Sequence, residues 1–305
     1  MSTRISFGHY GSYLFSLLNV LQLIGWTAVM IISGGRAANE LGVALFGFDS
    51  INTWAIAIGI FIGLWIWLGK VGFQKLNVVA VVLLFVLTLI LCGVVFKEGN
   101  ILLSAPTDEM SFGAALELSI IMPLSWLPLI SDYTRFAKSR KSGLVGSFMG
   151  YFIGSSLMYA IGLAIALYAK DASVGSMMMT LNLGFAALGI VLLSTITTTF
   201  LDAYSAGVTF INIFPQMSER KIAFAMAIIG LLVAIFTPIE QYETFLYAIG
   251  SVFGPLFAIL LSDYFIFKKE QIEPSLSLHI GALIVWALRV RLHYWFITFY
   301  LQLGS

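Results

Sequence analysis

The chain has 305 residues, of which 60% are hydrophobic and only 10% are charged, and its formal net charge is +1. In soluble domains roughly a quarter of all residues are charged, so this composition predicts an integral membrane protein. The small net charge argues against a nucleic-acid-binding surface, and the single cysteine, Cys92, excludes an internal disulfide framework.

Nine segments are apolar and long enough for a bilayer core, which requires roughly 20 helical residues. They run approximately over 13–33, 51–69, 76–96, 113–131, 144–168, 181–212, 221–237, 243–267 and 277–301. Because these segments do not alternate polar and apolar residues, we predict an all-α polytopic bundle of about nine transmembrane helices. The short connections predict one transmembrane domain over 1–305, surrounded by lipid.

Lysine and arginine are distributed unequally between the two sets of connections. With the N-terminus inside, the cytoplasmic segments hold eleven of these cations and the opposite loops hold three, while Arg289 and Arg291 fall within the last span. An excess of cations marks the cytoplasmic side. The sequence therefore predicts a cytoplasmic N-terminus in the cell membrane.

The first span carries Gln22 and Trp26, which are four residues apart and therefore lie one above the other on a helix. An indole offers a flat stacking face, and a carboxamide offers both a donor and an acceptor. The pair suits a flat, nitrogen-rich heterocycle. Tryptophan is also frequent at membrane interfaces, but Trp26 lies about two-thirds along its span.

The fourth span contains Pro123 and Pro128 within the stretch "MPLSWLPLISDYTRF". Each proline removes a backbone donor and frees a carbonyl at membrane depth, which is tolerated only beside protein or a watery cavity. Secondary transporters use such broken helices to bind substrates and ions. We predict that Ser125 and Trp126 form a wall opposite Trp26, although a simple proline kink is an alternative.

The sixth span places Ser194, Thr197 and Thr198 on one helical face, and Asp202 follows one turn later. Three hydroxyl oxygens on one stripe suit a small cation such as sodium, although serine and threonine also bond to their own helix carbonyls. An ionisable residue inside a span is a functional candidate. Asp202 would accept hydrogen bonds from a ligand, or would pair with a neighbouring helix.

Other residues that carry chemistry give weaker signals. Glu117 lies deep in the fourth span, where it would be a proton-linked group or a partner for a polar neighbour. The three histidines lack metal-ligand spacing, and no P-loop, dinucleotide motif or Ser/His/Asp arrangement is present. We therefore expect no enzyme activity, no cofactor and no bound metal beyond sodium.

Four stretches resemble the nucleobase–cation symporter family of purine–cytosine permease-like transporters, and are most similar to its hydroxymethylpyrimidine transporters. They are "SFGHYGSYLFSLLNVLQLIGW", "PLISDYTRFAKS", "DAYSAG" and "GPLFAILLSDYFIFKK". The resemblance implies a leucine-transporter-like fold with two inverted repeats, here an incomplete first repeat over 1–97 and a second over 112–269, followed by a helix at 277–301.

The resemblance also implies roles for individual residues. Trp26 would stack on the substrate with Gln22 as a polar contact, and the broken helix would face it through Met122, Ser125 and Trp126. The hydroxyls of Ser194, Thr197 and Thr198 would match the family's sodium-site helix. An asparagine of the family one turn later is unmatched, and Thr199 and Asp202 are the polar residues nearby. An aspartate there favours an aminopyrimidine.

The family's first two helices and its last helix have no counterpart here, so a complementary N-terminal fragment would be needed to complete the expected site. Three functions follow. The first is cation-coupled uptake of a pyrimidine, driven by sodium or protons and serving thiamine synthesis if the substrate is hydroxymethylpyrimidine. The second is a truncated, non-transporting remnant or a subunit of a split transporter. The third is a membrane-embedded enzyme or scaffold.

Overall fold

The structure is a computed structural model that describes residues 3–68, 78–79, 81–86, 88–90, 93, 111–134, 137–169, 184–237, 242–269, 271–273 and 276–303. Every regular element in this described part is helical, which confirms the predicted all-α architecture. The longer helices, in chain order, are α1 (Arg4–Phe46), α2 (Ile51–Leu68), α3 (Phe112–Trp126), α4 (Ile130–Thr134), α5 (Arg140–Ala169), α6 (Gly184–Ile211), α7 (Glu219–Phe236), α8 (Tyr242–Leu261) with a π-helical turn at Ser262–Ile266, and α9 (Ile280–Leu303).

Four helical segments of the described part are long and apolar enough to cross a membrane: Arg4–Phe46, Ile51–Leu68, Leu188–Ile211 and Thr244–Ile266. The chain is a multi-pass membrane protein. Of the predicted third span, 76–96, the structure describes 78–79, 81–86, 88–90 and 93, all of them helical, and the rest lies outside the described residues. Six other predicted spans agree with α2 and α5–α9 to within a few residues at each end, whereas the first and fourth differ.

Helix α1 extends far beyond the predicted 13–33. It is interrupted at Gly8, whose φ of 76° and ψ of −174° are non-helical. The amides of His9 and Tyr10 donate to the carbonyls of Leu276 and Ser277, before α9. A Cβ atom at position 8 would lie 2.8 Å from the Leu276 carbonyl oxygen, so both the backbone angle and the close approach require glycine.

Helix α1 is the centre of the bundle because two apolar clusters form on its sides. The larger cluster joins it to α2, α6 and α7, with Ile31, Ile58 and Phe200 among its buried members. A second joins it to α3, α8 and α9 through Phe15 and Phe253. Helix α1 is therefore packed against other helices on both sides, and its polar side chains lie within reach of those helices.

Helices α1 and α6 run antiparallel in close contact, and three contacts define their register. A Cβ atom at Gly34 would lie 2.5 Å from Thr195 Cγ2. Further along, Asn19 Nδ2 donates to Thr209 Oγ1 at 3.0 Å. Finally, Asn212 Nδ2 donates to Ser16 Oγ at 2.8 Å. Residue numbers therefore fall along α1 as they rise along the facing positions of α6.

The predicted fourth span is two helices, and its break differs from the prediction in position. Helix α3 runs through Pro123 and ends at Trp126, and a turn over 127–129 precedes α4. The interruption therefore lies at Pro128. The amide of Leu129 donates to the Trp126 carbonyl at 2.9 Å, so the helical hydrogen-bond pattern is lost at this point.

Candidate substrate site at the broken helix

The carbonyl of Ser125 is the backbone group that the break leaves free. Residue 128, three positions later, is a proline without an N–H, and the amide of Leu129 is turned towards Trp126. Among the described residues, the donor that reaches this carbonyl is Gln22 Nε2, at 3.0 Å. Gln22 and Ser125, each predicted to contact a substrate, are thus joined directly by a side-chain clasp from α1 that the sequence analysis did not predict.

The orientation of the Gln22 carboxamide follows from its partners. A backbone carbonyl only accepts, so the nitrogen must face Ser125, and the same nitrogen donates to Asn19 Oδ1 at 3.0 Å. Both hydrogens of the amide are then used. Gln22 is 3% exposed, and its Oε1 atom is buried without a hydrogen-bond partner in the described part of the chain.

Trp26 lies one turn further along α1, in an aromatic cluster contributed largely by α8. Its ring centroid lies 5.9 Å from that of Tyr242 and 5.8 Å from that of Phe245, both in edge-to-face geometry. The Tyr242 hydroxyl donates to the Met122 sulfur at 3.6 Å, which ties α8 to α3. Tyr242 and Phe245 escaped the sequence analysis because the start of α8 reads only as an apolar span.

Trp126 does not lie against Trp26 in this conformation. Its ring contacts Tyr151 of α5 at 6.4 Å between centroids, and it packs on a separate cluster that includes Leu23 and Ala206. The two indoles therefore belong to different apolar clusters. The binding of one ligand between them stays a prediction.

Asp202 lies on the face of α6 that meets α1. It is seven residues from Thr195 and seven from Thr209, both of which contact α1, so it shares their side of the helix. Interpolation between those contacts places Asp202 at the level of Trp26. The side chain is 8% exposed, and no described residue forms a hydrogen bond or ion pair with its carboxyl group. The predicted ligand role of Asp202 stays a prediction.

Of the predicted cation residues, Thr198 lies one turn before Asp202 on nearly the same face of α6, whereas Ser194 and Thr197 lie further round the helix. Ser194 donates to the Val191 carbonyl at 2.9 Å, and Thr197 donates to the Ser194 carbonyl at 3.1 Å. These two hydroxyls therefore bond to their own helix, as the alternative interpretation holds. Their oxygen lone pairs stay available to a cation, so the sodium site at these residues and Thr198 stays a prediction.

Thr199 is completely buried and donates to the Thr195 carbonyl at 2.6 Å. Its hydroxyl hydrogen is therefore already used within α6. The residue lies one turn from Asp202, but the structure gives it no contact with the broken helix. Its predicted role in substrate binding also stays untested.

Glu117 has a partner that the sequence did not indicate. Its Oε1 atom lies 3.3 Å from Nε2 of His293 on α9, although that nitrogen is not aligned for a hydrogen bond. The pair joins the half of the broken helix before the break to α9. It lies apart from the clasp, so the structure does not bring Glu117 to the candidate site.

A row of buried polar residues on α1 is the largest feature that the sequence analysis missed. Ser12, Ser16, Asn19 and Gln22 are each 3% exposed or less. They recur at intervals of three or four residues, which is the spacing of one helical face. This spacing was visible in the sequence and would have identified the face of α1 that meets α6 and the break.

Residues 1–278 match the profile of a protein family described as permeases for cytosine/purines, uracil, thiamine and allantoin. The chain is 27% identical over 271 residues to the cytosine permease of Escherichia coli strain K12, covering 88% of this chain and 63% of that protein. It is 24% identical over 301 residues to the hydantoin permease of Microbacterium maritypicum, covering 90% and 61%. A purine-uracil permease of Arabidopsis thaliana is 26% identical over 309 residues, covering 88% and 51%. The chain thus spans less than two thirds of the length of these relatives.

Proposed function

Because the chain belongs to the family of permeases for cytosine, purines, uracil, thiamine and allantoin, we propose that it carries a pyrimidine-type nucleobase or hydroxymethylpyrimidine across the cytoplasmic membrane. The transport is secondary active symport, coupled to sodium or protons. The N-terminus faces the cytoplasm, as the distribution of lysine and arginine indicates. Lipid and a small heterocycle are the partners in this proposal, and no step of it requires catalysis.

The observation that carries this proposal is the clasp between Gln22 and the Ser125 carbonyl. Irregular backbone at membrane depth requires a polar surrounding, and here a single side chain of α1 provides it. The clasp lies one turn from Trp26, and Asp202 lies opposite at the same level. A flat face, hydrogen-bond acceptors and a broken helix then surround one region, which suits a flat base with N–H groups.

The relatives support the class of substrate and leave its identity open. Their names include cytosine, hydantoin, purine and uracil, all of which are small planar heterocycles with ring nitrogens. Within that class, two acceptor groups, Gln22 Oε1 and the Asp202 carboxyl, favour a base that offers an exocyclic amine. We therefore expect cytosine and hydroxymethylpyrimidine to bind more tightly than hydantoin.

Binding of radiolabelled bases to the purified 305-residue chain in detergent tests the proposal. We expect saturable cytosine binding that unlabelled hydroxymethylpyrimidine displaces and that depends on sodium or on pH. Trp26→Ala should weaken it about tenfold, because aromatic stacking and ring burial are lost together.

Trp67→Ala is the matched control, since Trp67 is 66% exposed on α2 and lines a different cavity, between α2 and α7. Equal binding by the two tryptophan variants would refute the assignment of Trp26. An absence of saturable binding to any of these bases would refute the proposed function and favour a polypeptide that does not transport by itself.

A further inference from the structure

A cavity of about 580 Å³ lies beyond the clasp, towards the Arg4 end of α1. It is lined by four parts of the fold: α1 at Phe15 and Asn19, the break at Pro128, α6 at Thr209, and α8 at Phe253. None of the described residues that line it carries a charge. Its volume falls within the range of about 300–1,000 Å³ that small-molecule sites occupy.

The polar groups in this cavity have unused hydrogen-bonding capacity. Three buried threonines of the described part, Thr27, Thr197 and Thr199, donate their hydroxyl hydrogen to a carbonyl of the preceding turn. Thr209 is 4% exposed, and its oxygen accepts a hydrogen bond from Asn19. No acceptor for the Thr209 hydroxyl hydrogen is found among the described residues.

Asn19 adds a second unused donor beside the first. Its Oδ1 accepts from Gln22, and one Nδ2 hydrogen goes to Thr209. Its remaining N–H has no acceptor in the described part of the chain, and the residue is 1% exposed. Unsatisfied buried donors are uncommon because a donor that has lost its bonds to water without gaining an acceptor destabilises the folded protein. Two of them on adjacent side chains mark a place where an acceptor belongs.

Near the far end of the cavity, Arg4 forms hydrogen bonds to neutral side chains. Arg4 Nη2 donates to Asn212 Oδ1 at 2.8 Å, and Arg4 Nε donates to Ser12 Oγ at 3.4 Å. Asn212 in turn donates to Ser16. The guanidinium of Arg4 therefore bonds to side chains of α1 and α6, and Arg4 is not among the residues that line the cavity.

We propose that this cavity is a second binding station for the transported base, occupied between the site at the clasp and the Arg4 side of the membrane. The ligand is a neutral, flat heterocycle with a ring carbonyl, which cytosine has and hydroxymethylpyrimidine lacks, and the carbonyl oxygen accepts from Asn19 Nδ2 and from the Thr209 hydroxyl. The rings of Phe15 and Phe253 supply apolar walls. This inference rests on the proposed function, and Asn19 connects the two sites through its bond to Gln22.

Counting the sites per polypeptide tests the second station. Equilibrium dialysis of radiolabelled cytosine, which has a ring carbonyl, against the purified 305-residue chain should give two sites. The probe 4-aminopyrimidine lacks the carbonyl and should occupy one. Thr209→Val keeps the shape but removes the hydroxyl, and should weaken one of the two cytosine sites at least tenfold. Thr27→Val, an equally buried threonine that faces α7, should leave both sites unchanged.

Thr209→Val also removes the acceptor for Asn19, so a second variant separates binding from folding. Val208 is half-buried and lines the same cavity, and Val208→Phe fills space without removing a polar group. It should eliminate one cytosine site and leave the site that Trp26→Ala weakens.

Three results decide the matter. Two cytosine sites, one sensitive to Thr209→Val and Val208→Phe and the other to Trp26→Ala, would support the second station. A single site, sensitive to Trp26→Ala and insensitive to both cavity variants, would overturn the second station and leave the proposed function standing. Complete absence of saturable binding would overturn both.

Discussion

Replacing Gln22 by methionine tests how the broken helix is held against α1. The change keeps the length of the side chain but removes both N–H donors. The Ser125 carbonyl and Asn19 Oδ1 then lose partners that now lie at 3.0 Å. Both residues are at most 2% exposed, so water cannot replace the lost donors. Two buried acceptors would be left unsatisfied.

The size of the effect follows from counting unsatisfied groups. Each orphaned acceptor costs about 1–3 kcal/mol. The variant creates two, but it also removes Gln22 Oε1, which is already buried without a partner. The net change is one additional orphan, so we expect a loss of about 1–3 kcal/mol. Gln22→Glu should be worse, because it directs a carboxylate at the same two acceptors.

The assay is a thermal melt of the purified chain in detergent, followed by size-exclusion chromatography after heating. A loss of this size corresponds to a decrease in Tm of roughly 2–8 °C. Gln216→Met is the matched control, since Gln216 is exposed in the connection between α6 and α7. If Gln22→Met and Gln216→Met melt at the same temperature, the clasp does not hold the break and the argument from the Ser125 carbonyl fails.

Three further predictions concern α6. Thr198→Ala should raise the sodium concentration for half-maximal base binding, with less effect at saturating sodium, because linkage acts through the ion; unchanged sodium dependence would remove the hydroxyl from a cation site. Asp202→Asn should weaken aminopyrimidine binding about ten- to a hundredfold, since a charge-assisted hydrogen bond contributes about 1.5–3 kcal/mol; normal binding with earlier melting would make Asp202 structural. Gly207→Ala should lower the Tm, since its Cβ would lie 3.0 Å from the Ala223 backbone nitrogen, whereas Gly189→Ala, with nothing described within 4 Å, should not.

The positions of most helices were predictable because long apolar runs leave few alternatives in a bilayer. The length of α1 was not. Its ends contain Ser12, Asn39 and other polar residues that lower the hydropathy, yet those side chains are buried against neighbouring helices. A polar residue lowers the mean hydropathy and so argues against a membrane span. Only the structure shows the neighbouring helix that satisfies its hydrogen bonds.

The break shows a similar limit. Both prolines of the fourth span predicted an interruption, but α3 continues through Pro123 and ends before Pro128. What distinguishes them is tertiary: the carbonyl freed near Pro128 meets Gln22, which is 103 residues away in the sequence. The pairing of Glu117 with His293 was hidden for the same reason. The local sequence identified residues that need hydrogen-bond or ionic partners, but only the tertiary structure shows which residues those partners are.

Along the face between α1 and α6, the unsatisfied polar groups change from acceptors at one end to donors at the other. Towards the clasp, the unused atoms are acceptors, namely Gln22 Oε1 and the Asp202 carboxyl. Towards the Arg4 end they are donors, on Asn19 and Thr209. A base such as cytosine has both an amine and a ring carbonyl, so it can satisfy either set but must exchange one for the other as it moves. Asn19 and Gln22 share a hydrogen bond at that boundary. With the proposed second station, a base without a ring carbonyl, such as hydroxymethylpyrimidine, would bind near Gln22 and Asp202 alone, whereas cytosine would bind at both places.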